Sequence, residues 1–513
     1  MLVGDILRRN ARIYAEKVGL VDGNKAFTYR EINRRVNRLS HALRNLGLQR
    51  GDKVALMAHN CHQFVEAYFA FAKSGLVIVP INVRLSPEEA SHVVNHSDAV
   101  AFIYGHVIED LAKQLIIKIP NVKQIISTGK GTQTIHSYDS LIEEASDEEP
   151  DEEVKPDDLM LIMYTSGATG TPKGVLGSQR NIMSNTNTMT IELRIVPEDI
   201  TLVVMPLFHN GGLWPTLTHF YRGATVLLAD RFQEKKVLEC VEQKKVTFLN
   251  LVPTMLLRMI SHPDFGKYDL SSLRLIMYGG APTSMDLLKK AMQVLGPHRF
   301  YTSLGCTEAN GMLTSFPTSE HALKGAWARK LGSVGRDGIG VEVKIVGEDG
   351  REMEPGQVGE IITRGDNVSP GYWKMPEETK KSFINGWLHL GDLGYRDEDG
   401  FIFIAGRKKD IIISGGENIS SMEVENVLQQ HPAVREVAVI GVPDEEWGEA
   451  VMAIISVKPE FKDKMKENDF IDFCSARLSK FKRPKAVRFM EYLPKTPLGK
   501  IAKGELKNLY KGS

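Results

Sequence analysis

Residues 164–174 read YTSGATGTPKG, between the apolar run LMLIM (159–163) and the polar stretch SQRNIM (178–183). Three glycines, four Ser or Thr hydroxyls and one lysine fall within these eleven residues. A strand that empties into such a loop offers backbone N–H groups and hydroxyls to anionic oxygens. Gly167, Gly170 and Gly174 let the backbone come close, and Lys173 supplies the point charge that a phosphate attracts. A Walker loop is the first rival. It needs GxxxxGK[ST], whereas Lys173 follows Pro172 and precedes Gly174, so that reading fails.

The rest of the chain frames this loop. With 513 residues it exceeds the size at which one core usually splits into domains. Apolar residues make up 42% and charged residues 25%, a globular balance. Lys plus Arg and Asp plus Glu are 64 each, which argues against a nucleic-acid partner. Cys61, Cys240, Cys306 and Cys474 are far apart and read as reduced thiols of a cytoplasmic protein. The N-terminus lacks a signal peptide's apolar core, and no run reaches the ~20 apolar residues of a membrane span.

Hydrophobic periodicity predicts a helix over 28–49, a strand at 53–58, a helix over 63–73, a strand at 76–80, a helix after Ser86-Pro87, and a strand at 99–105. Strands alternating with helices imply a parallel sheet covered on both faces. The charge run EEASDEEPDEE (143–153) reads as an exposed connector. A second α/β block follows, with strands expected at 159–164, 201–208, 225–229, 246–253 and 273–280. Residues 320–405 are expected to be β-rich, and from about Lys408 a compact α+β unit of helix, two strands, helix and strand. The division expected is 1–407 and 408–513.

The loop at 164–174 resembles the signature loop of the adenylate-forming superfamily, which holds acyl-CoA synthetases, adenylation domains of peptide synthetases and beetle luciferases. Further segments look like that family's signatures in order: MPLFHNGG (205–212), YGGAP (278–282), SLGCTE (303–308), the stretch 387–420 with HLGDLG and AGRKKD, and PLGK (497–500). The resemblance implies an α/β fold: a large N-terminal domain of two α/β sheets plus a β-barrel-like module, and a small mobile α+β C-terminal domain.

It also implies roles. Thr165, Ser166, Gly167, Thr169, Thr171 and Lys173 would clamp the β- and γ-phosphates of ATP. Glu308 would hold Mg2+, an ion that prefers oxygen ligands, and Thr307 would touch the α-phosphate or the reacting carboxylate. Gly279, Gly280, Ala281 and Pro282 would line the adenine. The family's usual tyrosine before Gly305 is Leu304 here, so the base would lose a stacking ring; Tyr301 stands three residues earlier and takes no such role. Asp392 would accept the ribose hydroxyls, with Arg407 opposite. His209, in a loop after a strand, would shape the acyl-carboxylate pocket, with Asn210, Gly211, Gly212 and Trp214 as neighbours. Gly211, Gly212, Gly280 and Gly311 would leave volume for a large acid. Lys500 would bind the carboxylate and α-phosphate during adenylation, with Lys495 and Lys503 as weaker candidates. Lys409 resembles the hinge, and Gly415 and Gly416 the loop that admits the pantetheine arm of coenzyme A.

The reaction so implied converts a carboxylic acid, ATP and coenzyme A into acyl-CoA, AMP and pyrophosphate through an acyl-adenylate. A medium- or long-chain fatty acid is the first choice of substrate. An aromatic or alicyclic acid, or an enzyme that loads a carrier protein, stays open, as does a homodimer. The non-enzyme alternative is an adenylate-binding sensor. Against it, Lys173, Glu308, Asp392, Arg407 and Lys500 are all present.

Overall fold

The computed structural model describes residues 1–165, 172–281, 283–415, 417–462, 464–496 and 501–510. Of the residues singled out above, Ser166, Gly167, Thr169, Gly170, Thr171, Pro282, Gly416 and Lys500 lie outside that set. The chain divides into two compact units, Met1–Val343 with Thr363–Leu388, and Lys344–Ile362 with His389–Ser513.

Among the described residues, the first unit holds two seven-stranded sheets. One runs in the order His136–Ser137, Gln124–Ser127, Ala99–Tyr104, Lys53–Met57, Val77–Pro80, Leu159–Thr165, Lys173–Ser178. The other runs Phe300–Tyr301, Leu275–Tyr278, Phe248–Leu251, Ile200–Val203, Thr225–Leu228, Val18–Asp22, Lys25–Thr28. Each is parallel except at one edge, where the last pair is antiparallel. The parallel sheets expected from strand–helix alternation are therefore present, with sequence-local helix signals in place. Thr28 caps the helix Tyr29–Asn45 by accepting from Glu31 N, and Glu31 accepts from Thr28 N at 2.7 Å, a reciprocal capping box. Ser86 does the same ahead of Pro87.

The helix His62–Ser74 is buried on nearly every side. Phe64, Val65, Phe69 and Phe71 join one apolar cluster with Val54 and Leu56 of the first sheet and Leu20, Val203 and Val226 of the second. A helix that is apolar all round belongs in a core, and this one holds the two sheets together. Its C-terminal Lys73 is buried as well, and its ammonium reaches Asn33 Oδ1 (2.8 Å), Asn37 Oδ1 (2.7 Å) and Glu149 Oε2 (2.7 Å).

Glu149 belongs to the acidic run read as a connector. The run is largely exposed, but it is a strap. Asp147 lies 3.6 Å from Arg34 and 3.9 Å from Arg38, Asn37 donates to the Asp147 carbonyl (2.9 Å), and Arg44 pairs with Glu152. The arginines come from one helix, so the run's charge is matched by a face that sequence distance hides.

Short strands Val341–Val346, Gly359–Gly365, Trp387–Arg396 and Ile402–Arg407 occupy the β-rich stretch. In the second unit, Glu417–Ser420, Ile411–Ser414, Gly448–Val457 and Val434–Asp444 form an antiparallel sheet, with Ala486–Phe489 added parallel to Gly448–Val457. The helices Ser421–Leu428 and Glu467–Ser475 complete the α+β pattern expected there. No helix among the described residues is long and apolar enough to cross a membrane.

Candidate active site

The strands on either side of the glycine-rich loop pair with each other. The strand Leu159–Thr165 runs into it and Lys173–Ser178 returns antiparallel, with Thr165 opposite Lys173 and Tyr164 opposite Gly174. Lys173 therefore opens the return strand, and the polar stretch after it starts a helix only at Gln179. Gly174 is required by space, because a Cβ would stand 2.8 Å from Ile162 Cγ2 and 3.0 Å from the Tyr164 ring. Residues 371–373 lie along the return strand: Leu176 N donates to Gly371 O (3.1 Å) and Trp373 N to Gly174 O (2.7 Å).

This added edge carries Tyr372. The Lys173 ammonium lies over its ring, 5.0 Å from the centroid, and bonds Glu378 Oε2 at 2.5 Å. The Tyr372 hydroxyl donates to Glu308 Oε1 (3.1 Å). Burial and the adjacent Glu308 charge push the phenol well above its ordinary pKa, so it stays a donor.

Glu308 itself stands in the turn of a small hairpin, Gly305–Cys306 against Gly311–Met312. Asn310 N bonds Thr307 O (2.9 Å), and Ser369 N bonds Glu308 O (2.8 Å). Gly311 is a packing glycine: its Cβ would fall 1.9 Å from Asn185 Oδ1, the atom that accepts from Met312 N. Thus Thr165, Lys173, Thr307 and Glu308, from distant parts of the sequence, are bound into one framework.

Gly279, Gly280, Ala281 and Leu304, expected to line the adenine, emerge where adjacent parallel strands end. Leu275–Tyr278 pairs with Phe300–Tyr301, so Gly279 and Gly280 leave the sheet beside Ser303 and Leu304. Ligands of open α/β sheets bind at such carboxyl ends. Gly280 has φ +75° and Ala281 is exposed, and Leu304 is half-buried with its amide on Thr314 Oγ1 (2.8 Å). Tyr301 is buried with its hydroxyl on Ser315 (2.8 Å), consistent with giving it no role at the base.

His209 corrects two expectations. The strand read over 201–208 ends at Val203, and FHNGGLW starts a helix, Asn210–Arg222, capped by His209. The His209 Nδ1 accepts from Gly211 N at 3.3 Å. Two glycines and an internal Pro215 concealed the helix. Proline removes the N–H that would bond the carbonyl four residues back; Asn250 Nδ2 donates to that carbonyl, Gly211 O, at 2.9 Å instead. The glycines are also not pocket space. A Cβ on Gly212 would meet Pro206 O at 2.4 Å and one on Gly211 would meet Met205 Cε at 3.0 Å. Of the four glycines read as leaving room for the acid, only Gly280 has no atom nearer than 3.7 Å. Asn210 is 3% exposed, and among the described residues neither its amide oxygen nor its nitrogen has a hydrogen-bond partner; the Trp214 indole N–H, one turn on, likewise has none there.

In the second unit, Asp392 and Arg407 are cross-strand partners joined at 2.7 Å, with Asp392 buried and Arg407 half-exposed. Gly415 has φ +60°, and Trp447 fills the space where its Cβ would be, 2.5 Å away. Lys495 pairs with Glu436 (2.5 Å) and Lys503 with Glu425 (2.7 Å), so both weaker candidates are engaged within their own unit. Lys409 is in a short 3-10 turn, Lys408–Asp410.

Comparison with known proteins decides the family. Residues 7–373 match the family described as AMP-binding enzyme, and residues 423–500 its C-terminal domain. The chain belongs to the AMP-binding enzyme family. It is 36% identical to a feruloyl-CoA synthase of an Amycolatopsis species over 98% of both chains. It is 34% identical to the long-chain-fatty-acid–CoA ligase FadD13 of Mycobacterium tuberculosis, over 99% of this chain and 98% of that one. Among solved structures it is similar to the anthranilate CoA ligase AuaEII in complex with anthranoyl-AMP, with a TM-score of 0.89, 27% identity, and coverage of 100% of this chain and 97% of that one. As an AMP-binding enzyme of this kind it is an acid–thiol ligase that works through an acyl-adenylate, with ATP and coenzyme A as co-substrates.

Two partners of Lys173 in this AMP-binding enzyme escaped the sequence reading, Tyr372 and Glu378. They stand in GYWKMPEETKK (371–381), inside a stretch read only as β-rich. Pro376 followed by two glutamates is a helix-start signal, and the helix Pro376–Ser382 is there. Nothing local in it points to Lys173.

Proposed function

We propose that the chain adenylates a carboxylic acid with an apolar body, a medium- or long-chain fatty acid first, and passes the acyl group to coenzyme A. The observation that carries the adenylation reading is the frame Lys173–Tyr372–Glu308, a cation and a carboxylate tied through one phenol. Lys173, with Thr165, Ser166, Gly167, Thr169 and Thr171, grips the β- and γ-phosphates. Thr307 orients the α-phosphate, Gly279–Pro282 and Leu304 take the adenine, and Asp392 with Arg407 takes the ribose. His209 borders the acid's carboxylate. Lys500 stabilises charge that develops as the carboxylate oxygen attacks the α-phosphorus and pyrophosphate leaves. Turning of residues 408–513 about Lys409 then exchanges Lys500 for Gly415 and Gly416, and the thiolate of coenzyme A attacks the acyl carbon, expelling AMP.

Mg2+ fits as an ion held by one protein carboxylate. Glu308 is a hard oxygen donor, and no group of three or more His, Cys, Asp or Glu among the described residues could hold a metal; polyphosphate and water would complete the shell. Bound there, it would neutralise charge on the departing pyrophosphate.

A second reading, an aromatic acid with a polar substituent, is favoured by Asn210 and Trp214. Buried polar groups without partners are costly, about 1–3 kcal/mol each, and a hydroxyl on the substrate would satisfy them. The relative with feruloyl-CoA synthase activity agrees with it, as FadD13 agrees with the first. Acid-dependent ATP–pyrophosphate exchange across fatty, alicyclic and hydroxy-aromatic acids, followed by thioester formation on coenzyme A or a carrier protein, tests both. A fatty acid as the best substrate is expected. A hydroxy-aromatic acid preferred by more than about tenfold over its unsubstituted analogue establishes the second reading, and no exchange with any acid overturns adenylation.

A further inference from the structure

We propose that Glu378 stands in for phosphate: its carboxylate holds Lys173 in the nucleotide-free enzyme and is exchanged for an ATP phosphate when nucleotide enters. The inference rests on the reading of Lys173 as the phosphate-binding lysine. The Lys173 side chain is only 14% exposed, and an ammonium that deep needs a counter-charge. Glu378 Oε2 provides it at 2.5 Å, while Lys381 holds Oε1 at 3.0 Å. Lys173 thus already has what a phosphate oxygen would give it, an anion on one side and the Tyr372 ring on the other.

The geometry makes the exchange a movement of the lysine tip. Glu378 stands on the helix Pro376–Ser382, which is fixed to the return strand's neighbour: Tyr372 N donates to Thr379 Oγ1 (3.0 Å), and Thr379 Oγ1 donates to Met375 O (2.9 Å). Gly371, φ +144°, lets that helix close in, since a Cβ would meet Thr379 Cγ2 at 2.5 Å. The carboxylate is anchored and half-solvated, whereas a lysine has a flexible four-carbon stem. Lys173 and Lys381 share the Glu378 carboxylate, so an incoming phosphate oxygen competes with that carboxylate for the Lys173 ammonium.

Neutralising that competitor should strengthen ATP binding. Glu378→Gln is expected to lower the KM for ATP, and the Kd of pyrophosphate measured by calorimetry on the full chain, about threefold to fivefold, the scale of a partly exposed ion pair. The KM for the acid should not move. Glu378→Asp, which keeps the charge, should restore the wild-type KM for ATP. Lys381→Ala releases the second oxygen to grip Lys173, so it should raise the KM for ATP in the wild type and leave it unchanged in the Glu378→Gln background. These shifts separate a latch from a merely structural contact, which would alter the parameters for acid and ATP together. An unchanged or raised KM for ATP in a Glu378→Gln variant of normal melting temperature overturns the latch. If that variant is unstable, an unchanged or lowered KM for ATP in Lys381→Ala alone overturns it. Lys173→Ala separates the two readings: ATP binding as tight as wild type removes the phosphate role of Lys173 itself, whereas weakened binding with an inert Glu378→Gln removes only the latch.

Discussion

Two lysine–glutamate pairs in the first unit are alike in distance and unlike in consequence. Lys73 and Glu149 meet at 2.7 Å with the lysine side chain 1% exposed, and Asn33 and Asn37 take the rest of its donors. Lys173 and Glu378 meet at 2.5 Å with the lysine 14% exposed, and its other neighbour is the face of an aromatic ring. Every donor of Lys73 is occupied, so it can serve nothing but the fold. Lys173 keeps an ammonium that a better anion can claim. Burial pushes Lys73 down to about 8 against the pull of Glu149. Glu149 is itself partly buried, yet hydrogen bonds from Asn33 and Lys73 bring it down to about 2. What distinguishes a structural ion pair from an available one is the number of partners left unfilled, not its length.

The largest effect expected is a double dissociation of these lysines. Lys73→Ala should cost about 3 kcal/mol in denaturant unfolding, the scale for removing one partner of a buried pair, and leave acid-dependent pyrophosphate exchange per folded molecule unchanged. Lys173→Ala should do the reverse: exchange should fall about a hundredfold, with stability within about 0.5 kcal/mol of wild type. Equal losses of stability in the two variants would erase the comparison.

The strap provides a smaller, pH-dependent effect. Glu149 has a folded pKa of about 2 against an ordinary 4.5. A depressed carboxylate stabilises the fold above its unfolded pKa and loses that contribution as pH falls through the folded value. The difference in melting temperature between wild type and Glu149→Gln should therefore be full above about pH 5 and shrink toward pH 2. A gap that is constant over this window would show that the strap acts through packing and not charge.

The smallest effect concerns the base. Leu304→Tyr should tighten ATP binding by about 0.5–1.5 kcal/mol through stacking, read as the ratio of ATP dissociation constants. No tightening would mean that another group already covers that face.

Much of the molecule was legible where its chemistry is contiguous. The strand–helix alternation foretold two parallel sheets, and Thr165, Lys173, Thr307 and Glu308, each singled out from a short string of telling residue types, come together in one framework. Legibility failed where a residue's meaning depends on a distant neighbour. The helix at Asn210–Arg222 was hidden because Pro215 breaks the local rule, and its compensation comes from Asn250 on another element. Gly212 and Gly311 read as open space, yet Pro206 O and Asn185 fill the positions a Cβ would need.

The sequence by itself determined the class of fold, the order of the signature segments and the family they mark, because backbone periodicity and loop chemistry act over a few residues. Only the tertiary structure decided which charges are spoken for. Glu149 and Glu378 each stand beside further charged residues, in EEPDEE (148–153) and in KMPEETKK (374–381). One bonds the buried Lys73, and the other, 205 residues from Lys173 along the chain, closes on it in the fold. The reason is physical: how available an ammonium is depends on its solvation and on the full set of donors and acceptors around it, and that set is assembled only when distant segments pack together.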